Sequence, residues 1–185
     1  EFPDEVEKIK RTHLNDYEYH LDDTLRGIGI KNEGFIKKAE EFWFSRFFSN
    51  QYLKYDKVLR GGSGYVNAVV AVGGKVVYLT GRDVPRMGTG TFAQLKQKRF
   101  PLGTQGKVLM KPGKDMDDLV FKKQAFEWIA KNGTVVAGFE NEPKNLNAMS
   151  EAFPNASMVF LSTRHSRNSV PPISKASRID SYRRN

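Results

Sequence analysis

Several short apolar stretches in this 185-residue chain run directly into polar side chains. The polar residues that follow these stretches are Thr80, Arg82, Lys111, Glu140 and Glu142. Hydroxyl and ammonium groups bind phosphate oxygens, whereas carboxylates bind a hard divalent cation. These residue types therefore indicate a site for a phosphate group and a divalent cation, provided that the fold brings them to one place.

The apolar stretches have the length and composition of buried strands, and helical patterns lie between them. The predicted strands read KVVYLT, KVLM, TVVAGF and SMVFL, and the predicted helices read TFAQLKQKRF, DDLVFKKQAFEWIAKNG and PKNLNAMSEAF. This alternation is typical of an α/β fold whose parallel sheet is covered by helices on both faces. Such folds bind ligands at the carboxyl ends of their strands, so we expect the polar residues to converge there.

The chain before these strands is predicted to be helical, because apolar residues recur at three- to five-residue steps in residues 3 to 59. RGGSG at 60 to 64 predicts a flexible joint, followed by a short helix in SGYVNAVVAVGG. The glycine-rich RMGTGTF at 86 to 92 is interpreted as a plain loop. We therefore divide the chain into a helical region (1–60), an α/β core (61–163) and a basic tail (164–185).

Composition excludes several classes of site. The chain has no cysteine, which excludes disulfides, thiolate catalysis and cysteine-ligated zinc. A net charge of +9 suits an anionic partner. The basic tail is predicted to be loose, and nucleic-acid binding through it is the less favoured interpretation because Tyr182 is its one aromatic residue of the Phe, Trp or Tyr type. The sequence shows no secretory signal and no membrane span, so we expect a cytoplasmic protein without a membrane partner.

Three segments resemble a known family in their order and context. VVYLTGRD, FKKQAF and VVAGFENEP are similar to motifs two, three and four of the haloacid dehalogenase superfamily of phosphohydrolases. The resemblance covers residues 61 to 163, and the helical region before them looks like the inserted cap of that family. It implies a three-layer, Rossmann-like parallel sheet with an N-terminal helical cap lobe.

The resemblance also implies roles for individual residues. Thr80 would hydrogen-bond the phosphoryl group, aided by the backbone of Gly81. A lysine at the start of the third-motif helix would hold the phosphate charge; Lys122 is preferred, and Lys123 is the alternative. Arg82 would either clamp the phosphate of the substrate or pair with a carboxylate.

The implied cofactor is Mg²⁺, ligated with help from Glu140 and Glu142. Many members of the family have aspartate there, and the extra methylene of glutamate leaves direct and water-mediated coordination both open. In the family, an aspartate attacks phosphorus and a second aspartate, two residues on, acts as general acid and base. The resemblance thus implies magnesium-dependent hydrolysis of a small phosphorylated substrate, a phosphomonoester, through an aspartyl-phosphate.

The motif that supplies both aspartates, a strand followed by Asp-x-Asp-x-Thr, is missing from this chain. The nearest string, YHLDDTLRG at 19 to 27, has His20 at the position of the nucleophile. It is either a decayed motif or a chance match inside a cap helix. The polar RTHLNDYEY before it keeps a helical period and would bury Asn15, Asp16 and Glu18 if it were a central strand, which favours the chance match.

We therefore expect the first motif to lie upstream of Glu1, and residues 1 to 185 alone to be inactive. In that family the missing strand lies between the strands predicted here at 75 to 79 and at 134 to 139. Without it, either a segment outside this chain fills the gap or the two strands pair directly. The alternative function is a non-catalytic phosphate-binding or regulatory protein with the same fold.

Overall fold

The computed structural model describes residues 2–13, 17–166 and 170–183. Residues 2 to 56 form the N-terminal helical region. Its helices are α1 (Pro3–Lys10), α2 (Leu21–Gly27) and α3 (Glu33–Phe47), followed by a 3₁₀ turn at Leu53–Tyr55. The helical character predicted for residues 3 to 59 is confirmed for these segments, but the described residues 11–13 and 17–20, where a continuous helical period was expected, are not helical.

Residues 62 to 183 form the α/β region, in which helices and strands alternate. Its elements in chain order are α4 (Gly62–Ala71), β1 (Val76–Asp83), α5 (Val84–Gln97), β2 (Gly106–Lys111), α6 (Asp118–Asn132), β3 (Ala137–Glu140), α7 (Pro143–Ala152), β4 (Ser157–Leu161) and β5 (Ser177–Ile179). The protein is therefore a mixed α/β fold, as the alternating pattern predicts. No helix in the described ranges is long and apolar enough to cross a membrane.

The strands form two small parallel sheets. β1 pairs with β2, in a register that joins Val76 to Gly106 and Thr80 to Met110. The second sheet has the order β3–β4–β5. Among the described residues β1 and β3 do not pair with each other, so direct pairing, one of the two arrangements expected without the missing strand, is not adopted.

One apolar core serves both sheets. The fully buried Leu146 of α7 packs with Phe126 of α6 and with Met158 and Phe160 of β4. Leu79 of β1 packs against the same core from the first sheet. A smaller core in the helical region consists of Leu25, Ile30, Phe35 and Ile36.

The glycine-rich segment at 86 to 92 is helical, and its interpretation as a loop is wrong. Asp83 caps α5 by accepting a hydrogen bond from the backbone N–H of Arg86 (3.0 Å), and a proline lies in the first turn. Within this helix Gly90 lets the helical region approach closely. Its backbone N–H donates to the Asn50 side chain at 2.6 Å, and a Cβ there would come within 2.9 Å of the Leu53 side chain.

The segment predicted as a flexible joint is packed against the C-terminal part of the chain. Gly61 has a φ of +83°, and a Cβ there would lie 2.8 Å from the carbonyl carbon of Tyr182. The Tyr182 backbone N–H donates to the Arg60 carbonyl at 2.8 Å. The tail predicted to be loose contributes β5, which pairs with β4. Burial raises the pKa of Tyr182 to about 12.

Candidate functional site

The site is built around Lys122, which lies in the first turns of α6 and is buried. Its ammonium group donates to Oε2 of Glu140 at 2.8 Å and lies 3.6 Å from Oδ2 of Asp118. Asp117 begins the helix by accepting a hydrogen bond from the Val120 N–H, at 2.9 Å. Asp118 and Lys122 are four residues apart, so they lie on the same face of α6. The arrangement joins the start of α6 to the end of β3 around one buried cation.

Glu140 ends β3, and both of its carboxylate oxygens are used. Oε2 accepts from Lys122, and Oε1 accepts from the backbone N–H groups of Asn141 (2.9 Å) and Glu142 (3.1 Å). Glu140 is therefore fixed in position by its own loop as well as by Lys122.

The end of β1 reaches the same place through Gly81. A Cβ at this position would overlap the Asp118 carboxylate, so a larger residue would require the Asp118 side chain to move. Lys111, at the end of β2, lies 3.7 Å from Oδ1 of Asp118 and donates to the Met116 carbonyl at 3.1 Å. The ends of β1, β2 and β3 thus meet the start of α6. Of the polar residues expected to converge, Lys111 and Glu140 contact the start of α6, whereas Arg82 and Glu142 face other partners.

Thr80 and Arg82 flank Gly81, and their side chains have different surroundings. The Thr80 hydroxyl accepts a hydrogen bond from the Arg82 backbone N–H at 3.3 Å. The Arg82 guanidinium is turned toward the helical region, where Nη2 donates to Oδ2 of Asp56 at 2.5 Å and Nη1 contacts Gln94 at 3.3 Å. Of the two roles considered for Arg82, the structure shows the pairing with a carboxylate.

Glu142 faces a different partner from Glu140. Its carboxylate accepts from the Ser166 hydroxyl (2.8 Å) and from the Ser166 backbone N–H (3.1 Å). Within the described ranges, no group of three or more histidines and carboxylates could hold a metal ion. Glu140 and Glu142 on their own therefore do not fit a magnesium ion, and a complete metal site would need further carboxylates.

The geometry separates the two candidate lysines. Lys122 is buried and paired with Glu140, whereas Lys123, the next residue on the helix, is exposed. YHLDDTLRG at 19 to 27 forms α2, with His20 at the residue before the helix. A helix is what the chance-match interpretation expects. His165 is exposed and lies against the ring of Phe160.

Two residues at this site were missed in the sequence. Asp118 belongs to the predicted helix DDLVFKKQAFEWIAKNG, and its four-residue spacing from Lys122 is a signal for a shared face. Tyr19 has no comparable signal. Burial raises the pKa of Tyr19, and the negative charges of Glu142 and Asp118 raise it further.

Comparisons with protein-family profiles, with curated proteins and with solved structures found no match for this chain. A buried ammonium group, a strand-end hydroxyl and the backbone of a glycine suit an oxyanion. The carboxylates around them suit a cation or a second cationic side chain.

Proposed function

We propose that this chain forms the phosphate-binding part of a magnesium-dependent phosphomonoester hydrolase with the layout of the haloacid dehalogenase superfamily, residues 1 to 60 being its cap. The observation that carries the proposal is the buried Lys122 between Glu140, Asp118 and the end of β1. The segments that resemble the second, third and fourth motifs of the family would meet in this way. The cation lies where the charge of a transferred phosphoryl group would need it.

The unpaired edges of β1 and β3 support a nucleophile from outside residues 1 to 185. Each strand pairs on one side only within the described ranges. A parallel strand inserted between them would satisfy the backbone groups of both edges and join the two sheets into one. Its carboxyl end would emerge beside Gly81 and Glu140. A carboxylate there would complete the site.

In the proposed reaction, a carboxylate oxygen of the inserted strand forms a bond to phosphorus as the bond to the ester oxygen breaks. A second carboxylic acid gives its proton to the leaving alcohol, and water then hydrolyses the aspartyl-phosphate. Thr80, the Gly81 backbone and Lys122 hold the phosphoryl oxygens in place throughout. Magnesium, held by Glu140 and the added carboxylates, would neutralise phosphate charge.

The test is to extend the chain. Five apolar residues followed by Asp-x-Asp-x-Thr are placed before Glu1 through a short flexible linker, and hydrolysis of an aryl phosphate is measured with Mg²⁺. We expect turnover with this extension and none with residues 1 to 185 alone. A matched extension with asparagine in place of both aspartates controls for refolding without chemistry.

The lysines supply the second control. Lys122→Met should abolish the turnover of the extended chain, whereas Lys123→Met should leave it nearly unchanged because Lys123 is exposed. Turnover by residues 1 to 185 alone would refute the outside nucleophile. Phosphate binding that depends on Lys122, with no turnover in any extended chain, would establish the non-catalytic alternative instead.

A further inference from the structure

The N-terminal helical region encloses a space of about 670 Å³ that the proposed chemistry does not use. We call it the aromatic cleft and define it by Phe42, Trp43, Phe47, Tyr52 and Tyr55, which are among its walls. Its volume lies within the range of small-molecule binding sites, which are concave and mostly apolar.

Three aromatic side chains of this cleft are open to solvent. The opposite contribution of α3 is a buried face, which packs in the smaller core. The exposed fraction is 60% for Phe42, 47% for Phe47 and 67% for Tyr55. The Trp43 ring stacks on that of Phe47, with centroids 4.3 Å apart. A contiguous exposed apolar surface of this kind marks a binding site more often than isolated exposed residues do.

The aromatic cleft adjoins the phosphate site at two points. Asp56 is part of its wall, and the same carboxylate pairs with Arg82, the residue after Gly81. Tyr17 is also part of the wall, and it lies two residues before Tyr19, whose pKa is raised by burial and by the charges of Glu142 and Asp118. A ligand of modest length would therefore extend from the cleft toward the phosphate site.

Most of the surface that the wall presents to the cleft is apolar. Two of its polar side chains already bond within the helical region. The Thr24 hydroxyl accepts from the Glu18 N–H (2.8 Å) and donates to the His20 carbonyl (3.2 Å). The Arg46 guanidinium donates to the Phe42 carbonyl and lies 3.5 Å above the Phe42 ring. A mostly apolar wall favours an apolar group over the many hydroxyls of a sugar, because each buried hydroxyl needs a hydrogen-bond partner.

We propose that the aromatic cleft holds the apolar group of the substrate, which is then the phosphate monoester of an aromatic or aliphatic alcohol rather than of a sugar. This inference rests on the proposed function, because it identifies the substrate class of the same site. The apolar group gains affinity from burial against the aromatic rings, and the phosphate gains it from Lys122 and Thr80.

The test is a binding titration on residues 1 to 185, which needs no turnover. The chain has two tryptophans, Trp43 in the cleft and Trp128 elsewhere. Trp128→Phe leaves Trp43 as the one fluorescent reporter. Benzyl phosphate should shift the Trp43 emission to shorter wavelength and bind at least about tenfold more tightly than glucose 6-phosphate, inorganic phosphate or benzyl alcohol.

Two aromatic residues on the same helix give a matched pair of variants. Phe42→Ala should weaken benzyl phosphate binding, measured by calorimetry, by about tenfold or more. Phe44→Ala should leave it within about twofold, because Phe44 is similarly exposed, at 58%, but is not part of the cleft wall. Equal effects of both variants would overturn the inference.

The remaining outcomes separate this inference from the proposed function. If inorganic phosphate binds with dependence on Lys122 and benzyl phosphate binds no better, the inference is wrong and the proposed function stands. If benzyl alcohol binds as well as the ester and Lys122→Met has no effect, both are wrong. Sedimentation that shows a dimer in the parent chain and a monomer in Phe42→Ala would make the cleft a contact between two copies, which also overturns the inference.

Discussion

The two regions of this protein differ in the size of their closed cores, although both carry exposed apolar side chains. In the α/β region, Leu146 is fully buried and Phe126 is 4% exposed, in a core that both sheets share. In the helical region a smaller core is closed, but the aromatic side chains of α3 beyond it face an open cleft. Apolar surface that is closed contributes to stability, and apolar surface left open is available for binding. We therefore expect the α/β region to contribute most of the stability and the helical region to select the ligand.

The largest expected effect separates these two uses of apolar surface. Leu146→Ala should lower the free energy of unfolding by about 2–5 kcal/mol, because it leaves a cavity in the shared core. Phe42→Ala should lower it by less than about 1 kcal/mol, because the ring is already 60% exposed. Denaturant unfolding of both variants measures the difference. Similar losses would show that the aromatic cleft is closed in solution and would remove the contrast.

The second prediction concerns the connection between the regions, which was expected to be a flexible joint. Gly61→Ala should cost about 1–3 kcal/mol, because an L-residue is strained at a φ of +83° and its Cβ would meet the Tyr182 backbone. Gly64→Ala is the control: Gly64 lies inside α4 with open space around it, so alanine should stabilise by about 0.5–1 kcal/mol. Thermal unfolding of the pair decides whether residues 60 to 64 are packed or loose.

A third, smaller effect comes from a buried charge in the α/β region. Asp83 is 1% exposed and pairs with Arg86 at 2.6 Å. Burial alone would raise the pKa of Asp83, but the hydrogen bonds from Arg86 outweigh it and lower the pKa below the ordinary value of 3.8. Since the folded-state pKa is lowered, the stabilisation is complete above pH 3.8 and is lost as the pH falls through the folded-state value.

Asp83→Asn keeps the size of the side chain and removes its charge. We expect it to lower the free energy of unfolding by about 1–2 kcal/mol at neutral pH, because the ion pair with Arg86 is lost. The loss is moderate because Arg86 is partly exposed, so water solvates its charge when the partner is removed. Below pH 3 the difference between the variant and the parent chain should shrink. A difference that stays constant from pH 7 to pH 2.5 would show that the ionisation of Asp83 does not contribute to stability, because asparagine caps a helix as well as aspartate does.

Local patterns in the sequence predict most of the fold but not the contacts between distant segments. The alternation of apolar strands and helices yields β1, β2 and β4 and the helices α4, α6 and α7, because each has its own period and its own end signals. β5 has no such signal: it lies in a segment rich in proline and serine and is a strand only because it pairs with β4. The start of α5 was missed because glycines are rare inside helices.

The same limit applies to the site. The start of α6 and the end of β3 bring Lys122 and Glu140 together, which agrees with the motifs that contain them. The pairing of Arg82 with Asp56 could not be predicted, because 26 residues separate them and nothing local links a loop aspartate to a strand-end arginine. Asp56 reaches Arg82 because α5 packs against the 3₁₀ turn. There the Gln94 side chain donates to the Leu53 carbonyl at 2.5 Å.

The smallest expected effect compares a surface ion pair of the helical region with the buried pair of Asp83. Arg26 donates to both carboxylate oxygens of Glu33, at 2.6 and 2.9 Å, and this hydrogen bonding lowers the pKa of Glu33 below 4.5. Salt at 1 M reduces the screening length to about 3 Å, which weakens exposed pairs far more than buried ones. We expect 1 M salt to return the pKa of Glu33, followed by NMR, toward 4.5 and to leave the lowered pKa of Asp83 nearly unchanged.

Arg26→Gln should reproduce the effect of salt on Glu33 at low ionic strength, and it should have no effect on Asp83, which lies in the other region. If salt raised the pKa of both carboxyl groups equally, Asp83 would be as open to solvent as Glu33. The contrast between a closed α/β region and an open helical region would then fail for charges as well as for apolar side chains. A selective response of Glu33 would extend the contrast to both, because burial excludes water and ions together.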